Sequence, residues 1–325
     1  MIVNPYNNGI GKIKNFFEKK NPVFLETKLV PFSMKTMDKF LIKSSKKRAR
    51  EYLNKQEFPL FQTIEIETIN RCNGKCSFCP INRNIDPRPF KLMDQELFED
   101  IISQLKNINY TGSMGLYSNN EPLLDKRLFE FLKYARKELP NATLYLFTNG
   151  TLLTVEKFKE LLKYLDWITI DNYNDDLILH DQVKEVYEYA LTLPKERQEN
   201  IHIYFRKENE ILSNRSGEAN NRSKNDLTMK SACMYPFEQV VVRPDGKLSL
   251  CCNDAVGNMT MGDLTKELLV DIWNGDKYKI IRNNMLKDRN LNKLCSRCDI
   301  VTPRVPKGTS FNIKSLAKMV KQKLN

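Results

Sequence analysis

From Phe61 onward the hydrophobic positions switch back and forth between two periods. Residues 61–68 (FQTIEIET) alternate apolar and polar at period two, the pattern of a strand with one apolar face. Asp94 then precedes Leu97, Phe98, Ile101, Ile102 and Leu105 at helical spacing, which predicts a helix capped at Asp94. Residues 113–117 predict a second strand and 128–134 a second helix. Residues 143–147 predict a third strand that stops at the turn signal Asn149-Gly150. Thr154 caps a third helix carrying Phe158, Leu161, Leu162 and Leu165, and residues 167–170, 183–190 and 201–205 continue as strand, helix and strand. Five strands separated by helices of this length predict an α/β fold of parallel βα units. They fit an incomplete barrel, whose active site lies at the C-terminal ends of the strands.

The alternation breaks near residue 207. Residues 208–232 are polar and read as a loop or crossover. Residues 238–243 and 247–252 read as a hairpin joined by Pro244-Asp245-Gly246, followed by one helix over about 264–285 and a closing Cys295-x-x-Cys298. No internal repeat is present. The expected division is a basic N-terminal extension (1–60), a core (61–207), a small cysteine-bearing domain (208–300) and a basic tail (301–325).

Charge sharpens that division. The chain of 325 residues carries +12, but residues 1–60 hold 13 Lys/Arg against 5 Asp/Glu and residues 301–325 hold 6 against none, so the middle is close to neutral. Such flanks suit an anionic partner. In the tail, Ile313, Leu316, Ala317, Val320 and Leu324 line one helical face among lysines, and residues 13–17 and 37–50 mix Phe, Met and Leu with Lys and Arg in a similar way. This suits an interfacial helix near anionic lipid, or a face docked on the body. The first residues lack the apolar stretch of a secretory signal, and no apolar run approaches the roughly 20 residues of a membrane span, so a cytoplasmic protein is expected.

Eight cysteines in a reducing compartment point to metal ligands rather than disulfides, while two histidines argue against histidine-based chemistry. Cys72, Cys76 and Cys79 form a C-x3-C-x2-C motif directly after the first predicted strand. Three thiolates so spaced can hold three irons of a 4Fe–4S cube and leave one iron open. A structural zinc site wants four ligands, and the next cysteine here is 154 residues away.

With this motif in this place, the chain resembles the radical S-adenosylmethionine (SAM) superfamily over about residues 61–300. The resemblance implies that the open iron chelates the amino and carboxylate groups of SAM, with Phe78 packing near the adenine. Ser118-Asn119-Asn120-Glu121-Pro122 stands where the family usually has Gly-Gly-Glu-Pro, the edge that binds the methionyl amino group. Asparagine is among the non-glycine residues that best tolerate positive φ. Thr148-Asn149-Gly150 looks like the family's segment at the cofactor edge.

Cys233, Gly246, Cys251 and Cys295-x2-Cys298 resemble a twitch domain, the shortened form of the SPASM domain. The resemblance implies an auxiliary 4Fe–4S cluster on Cys233, Cys251, Cys295 and Cys298, with Cys252 spare. Four cysteines ending in C-x2-C also suit zinc. Ser213-Asn214-Arg215-Ser216-Gly217 is similar to an Asn-Arg-x-Gly stretch of such enzymes, which makes Arg215 a candidate catalytic or substrate-holding residue through its bidentate fork. Asn253 and Asp254 are further candidates, though a capped turn explains them equally well.

The implied chemistry is reductive cleavage of SAM and hydrogen abstraction, with two-electron oxidation of a sugar, aminocyclitol or related small molecule as the expected outcome and a flavodoxin or ferredoxin as reductant. The alternatives are a peptide maturase forming thioether or carbon–carbon links, and a non-catalytic metal-knuckle protein binding nucleic acid. Against the last, the charge lies outside the cysteine regions.

Overall fold

The computed structural model describes residues 1–223 and 229–302. One nine-stranded sheet runs through it: β1 (Ile2–Val3), β2 (Thr63–Ile66), β3 (Ser113–Gly115), β4 (Thr143–Thr148), β5 (Trp167–Tyr173), β6 (Ile201–Arg206), β7 (Gln239–Val242), β8 (Lys247–Ser249) and β9 (Thr260–Asp263), in the order β1-β6-β5-β4-β3-β2-β7-β8-β9. The five expected strands are β2 to β6, pairing in parallel with helices Gln95–Asn107, Leu128–Glu138, Val155–Leu161 and Asp181–Leu191 between them. This is the partial α/β barrel that the spacing of apolar runs predicts.

Period-two patterning decides what each face does. Ile64, Ile66, Met114, Leu144, Ile168 and Ile203 point into the apolar layer under the helices. The intervening positions on the other face include buried polar groups, Glu65, Thr169 and Gln239, beside Tyr145 and Val241. Strands buried on both faces and polar on one leave a polar interior, which an incomplete barrel can use as a site.

Two parts of the sheet have no counterpart in the alternating pattern. β1 adds in parallel to the outer edge of β6. The hairpin β7–β8 is present as expected, but β7 also pairs in parallel with β2, Thr63 opposite Gln239 and Ile66 opposite Val242, so the barrel sheet runs on into the cysteine-bearing region. Two local readings change, and the cap expected at Thr154 holds. The single helix expected over 264–285 is two, Leu269–Asn274 and Asp276–Lys287, because Gly275 between them is extended (φ −72°, ψ 167°). Asp94 begins its helix by backbone only; its carboxylate binds Lys91 at 3.1 Å and caps nothing. Thr154 caps through its hydroxyl, at 3.3 Å from the Lys157 amide.

Residues 1–53 are mainly helical, with helices Gly9–Lys20 and Val30–Leu53. They are bolted to the body by inward polar groups. Lys207 reaches Glu18 at 2.7 Å, Ser231 N–H donates to Asp38 at 2.8 Å, and Tyr52 OH to Glu238 at 2.6 Å. Among the described residues no helix is long and apolar enough to cross a membrane. The apolar face expected at Ile313 to Leu324 lies outside the described residues.

Candidate active site

Cys72, Cys76 and Cys79 follow β2 and line one cavity of about 160 Å³ at the C-terminal ends of the strands. The loop that carries them is held by backbone-directed bonds: Asn82 Nδ2 donates to the Cys76 carbonyl (3.0 Å), and Arg83 N–H to that of Gly74 (2.9 Å). Gly74 lies between the sulfurs; a Cβ there would be 3.3 Å from Cys72 Sγ and 3.9 Å from Cys76 Sγ. The space belongs to whatever the three thiols hold.

Burial pushes the Cys72 thiol up to about 12, with Glu121 and Cys79 adding to the rise, and burial raises Cys76 further. Thiols this reluctant to ionise become thiolates only beside a cation, and the irons of a cluster are such a cation. The donor set therefore fits an iron–sulfur cluster.

Every cofactor-edge residue expected from the sequence lines the same cavity: Phe78, Asn119, Asn120, Glu121, Thr148 and Asn149. Phe78 rests against Tyr173 at the end of β5, ring centroids 5.8 Å apart. Asn149 Nδ2 donates to Asn73 Oδ1 (2.8 Å) and lies 4.0 Å from Cys72 Sγ. The carboxylate of Glu121 accepts from Thr148 Oγ1 (2.6 Å), Asn149 N–H (2.7 Å) and Leu123 N–H (3.1 Å). It thereby ties the loop after β3 to the end of β4, and desolvation still raises it to about 6. Neither Asn119 nor Asn120 has a positive φ; the loop keeps its shape without glycine-like geometry. What fixes it instead is Glu67, which accepts the Asn119 amide at 2.6 Å, and Arg88, which donates to the Asn119 carbonyl at 3.1 Å.

Arg215 closes the cavity. Its φ of 49° begins three successive left-handed residues, with Ser216 at 57° and Gly217 at 85°. Such backbone costs about 1–3 kcal/mol at a non-glycine residue and persists only where the surroundings impose it. Asn214 does so, donating to the Arg297 carbonyl (2.7 Å) and exchanging bonds with Asp299 (3.0 and 3.2 Å). The guanidinium donates to Asn119 Oδ1 (2.9 Å) and to the Cys252 carbonyl (3.4 Å), and its Nε is buried with no partner. A buried donor left unpaired beside a cavity is uncommon in a native structure and calls for a functional reason.

Behind Ser118 lies Glu65, on the polar face of β2. Its carboxylate accepts from Ser118 Oγ (2.6 Å) and Gln239 Nε2 (2.8 Å), and desolvation raises it to about 7. Glu65, Tyr117, Phe147, Asp171 and Arg88 were not singled out by the motifs. For Glu65 the signal is the strand period, which puts it on the same face as Thr63 and Glu67.

Cys233, Cys251, Cys295 and Cys298 are all buried; burial raises the Cys251 thiol most, and Cys252, Cys233, Cys298 and Cys295 add to the rise. Arg289, itself buried, donates to the carbonyls of Cys298 (3.3 Å) and Ile300 (2.8 Å), and its charge opposes the rise at Cys233 and Cys295. Arg289 thus sets a positive charge beside these thiols. Cys252 lies within electrostatic reach of Glu65 and Arg215, and also of Cys251 and Cys233. Asn253 and Asp254 follow it; Asp254 accepts the Met259 amide at 3.1 Å, as a capped turn does.

Two family profiles match along this geometry. Residues 66–203 match the radical SAM superfamily, and residues 233–299 match the SPASM family, an iron–sulfur cluster-binding domain. The chain belongs to the radical SAM superfamily. Its cofactors are those of a radical SAM core with a SPASM-type domain: 4Fe–4S clusters and SAM. It is 29% identical over 247 residues to the S-adenosyl-L-methionine-dependent 2-deoxy-scyllo-inosamine dehydrogenase of Niallia circulans, over 75% of this chain and 94% of that protein. Among solved structures it is similar to BtrN in complex with AdoMet and 2-DOIA, with 27% identity, a TM-score of 0.65, and 75% and 94% of the two chains covered. An open conformation of selenomethionine BtrN shares the fold at 23% identity and a TM-score of 0.56, over 75% and 95% of the chains.

Proposed function

We propose that this radical SAM enzyme is a dehydrogenase that oxidises a secondary alcohol of an aminocyclitol, or of a sugar or related small polyol, to the ketone. The observation that carries this reading is Arg215. It spans from the loop of the SAM cavity to the loop of the second cysteine site, with a buried donor left free between them. The likeness to the inosamine dehydrogenase supports the choice of substrate class.

Cys72, Cys76 and Cys79 hold the first cluster; Cys233, Cys251, Cys295 and Cys298 hold the second. Phe78, Asn119, Asn120, Glu121, Thr148 and Asn149 surround the SAM. When bound, these groups supply a carbon-centred radical that removes one hydrogen atom and a redox centre that takes one electron. The chain must do the rest. Arg215 holds the substrate oxygen through Nε, charge-assisted and in a fixed plane. The hydroxyl proton passes to Ser118 Oγ and from there to Glu65, whose value near 7 suits an acceptor working at neutral pH. Tyr117 and Phe147, stacked at 4.7 Å, supply an apolar wall that keeps water from the reacting carbon.

The assignment treats residues 61–207 as the catalytic core, 208–300 as the auxiliary-cluster domain and the two ends as basic flanks. The expected partners are a flavodoxin- or ferredoxin-like electron donor and an anionic membrane surface met by the basic ends. Eight unpaired cysteines suit a reducing cytoplasm. Anaerobic assay of the reconstituted protein with SAM, reductant and aminocyclitols tests the reading. Equimolar ketone and 5′-deoxyadenosine are expected; 5′-deoxyadenosine with no carbonyl product from any cyclitol or sugar overturns it.

A further inference from the structure

The helix Gly9–Lys20 has two unlike faces. Its inner face is polar and bonded to the body: Lys14 binds Glu210 at 2.6 Å, and Asn15 and Glu18 both accept from Lys207. Gly11 packs so closely that a Cβ would fall 1.9 Å from the Pro5 carbonyl oxygen. The outer face is apolar and uncovered. Ile10, Ile13 and Phe16 are 49%, 55% and 57% exposed, and the turn after the helix presents Val23 at 69% and Phe24 at 38%. Ring contacts link these into one patch, Phe16 to Phe17 at 5.3 Å and Phe17 to Phe24 at 5.4 Å. Of the sixteen large hydrophobic side chains exposed among the described residues, eight lie in residues 1–40, so this apolar exposure is concentrated rather than scattered.

The charge around the patch has one sign. Lys12, Lys19 and Lys20 are exposed beside it. The nearby acids are turned inward: Glu18 to Lys207, Glu26 to Arg222 and Ser223, Asp38 to the amides of Lys230 and Ser231. Folding therefore turns the segment's carboxylates toward the body and leaves Lys12, Lys19 and Lys20 outside.

We infer that the outer face of helix Gly9–Lys20 and the turn through Phe24 form a docking surface for an anionic lipid bilayer. The inference rests on the membrane contact proposed above and assigns it to these residues. A second copy of the chain would set lysine against lysine, and residues 303–325, with six Lys/Arg and no acid, meet the same repulsion. A nucleic acid gains nothing from Ile10, Ile13 and Val23, which have no ring to stack on a base. Aliphatic and aromatic groups flanked by lysines are what an interfacial segment offers to headgroups and acyl chains together.

The test is co-sedimentation of the reconstituted full-length protein with vesicles of phosphatidylglycerol and phosphatidylcholine in equal parts, or of phosphatidylcholine alone. Partitioning onto the anionic vesicles is expected, weakening with salt. Each lysine at such a surface contributes about five-fold, so Lys19→Glu with Lys20→Glu lowers partitioning at least about 25-fold. Phe16→Ser with Val23→Ser and Phe24→Ser removes vesicle binding while the dehydrogenase assay with a soluble cyclitol is unchanged. Failure of the wild type to sediment with anionic vesicles, or sedimentation of the triple serine variant like wild type, overturns the inference and leaves the dehydrogenase reading standing. Saturable duplex-DNA binding at 0.15 M salt without vesicle binding also overturns it.

Discussion

Arg215 donates to the side-chain oxygen of Asn119 at 2.9 Å, joining residues 96 positions apart in the chain. The bond pins the loop that edges the SAM cavity to the loop before the second cysteine region. Arg215→Lys keeps the charge and loses the planar fork, and Arg215→Gln loses both. Both variants are expected to retain wild-type iron and sulfide, and to lower ketone formation by about 10²- to 10³-fold, Gln more than Lys. Product analysis would show 5′-deoxyadenosine formed in excess over ketone. Loss of iron along with activity would mean that the arginine only holds the fold.

Glu65 gives the reaction a pH dependence with a defined sign. A buried carboxyl raised to about 7 is neutral below that pH and ionised above it. As acceptor of the substrate proton it works only when ionised. The kcat/KM for alcohol oxidation should therefore fall about tenfold per pH unit below about 7 and level off above. Glu65→Gln cannot ionise; its rate should be lower by about 10² and flat across the same range. A Gln variant that keeps the wild-type profile would remove Glu65 from the proton path.

Removing the cluster ligands separates the two sites. The reconstituted wild type should hold about eight irons, Cys72/Cys76/Cys79→Ala about four, and Cys252→Ser the full eight. Iron and acid-labile sulfide analysis reads this directly. Zinc in place of the second set of irons would leave no acceptor for the substrate's electron.

The Arg289 guanidinium is buried against the second cysteine set, where a positive charge favours the more negative state of a bound cluster. Arg289→Gln should lower the midpoint potential of the auxiliary cluster on the order of 50–100 mV, with the SAM-site cluster unmoved. Redox titration followed by EPR distinguishes the two centres. An equal shift at both would mean that the substitution acts by loosening the domain.

What the sequence carried openly was whatever repeats or is rigidly spaced. β2 to β6 show as alternation because one face of each is apolar. The cysteine motifs show because Cys72, Cys76 and Cys79, and again Cys295 and Cys298, lie a few residues apart. Less legible were contacts whose partners are far apart in the chain. β1 has two residues, too few for any period, and its pairing with β6 depends on helices folded between them. Arg88 reads as one loop arginine among several, yet it holds Glu67 at 3.1 Å and the Asn119 carbonyl. The break at Gly275 was hidden because Ile272, Tyr278 and Ile281 are all buried, so the apolar signal continues through it.

The parallel pairing of β7 with β2 joins the strand that leads into the Cys72–Cys79 loop to the strand that follows Cys233, and neighbouring strands lie about 4.8 Å apart. The hydrogen-bond ladder therefore joins the two regions directly, beside the crossover that carries Arg215 and Cys233. A linker between independently folded domains would let their separation vary from moment to moment, and with it the rate of electron hopping. Here backbone hydrogen bonds between β2 and β7 hold the two regions to one sheet.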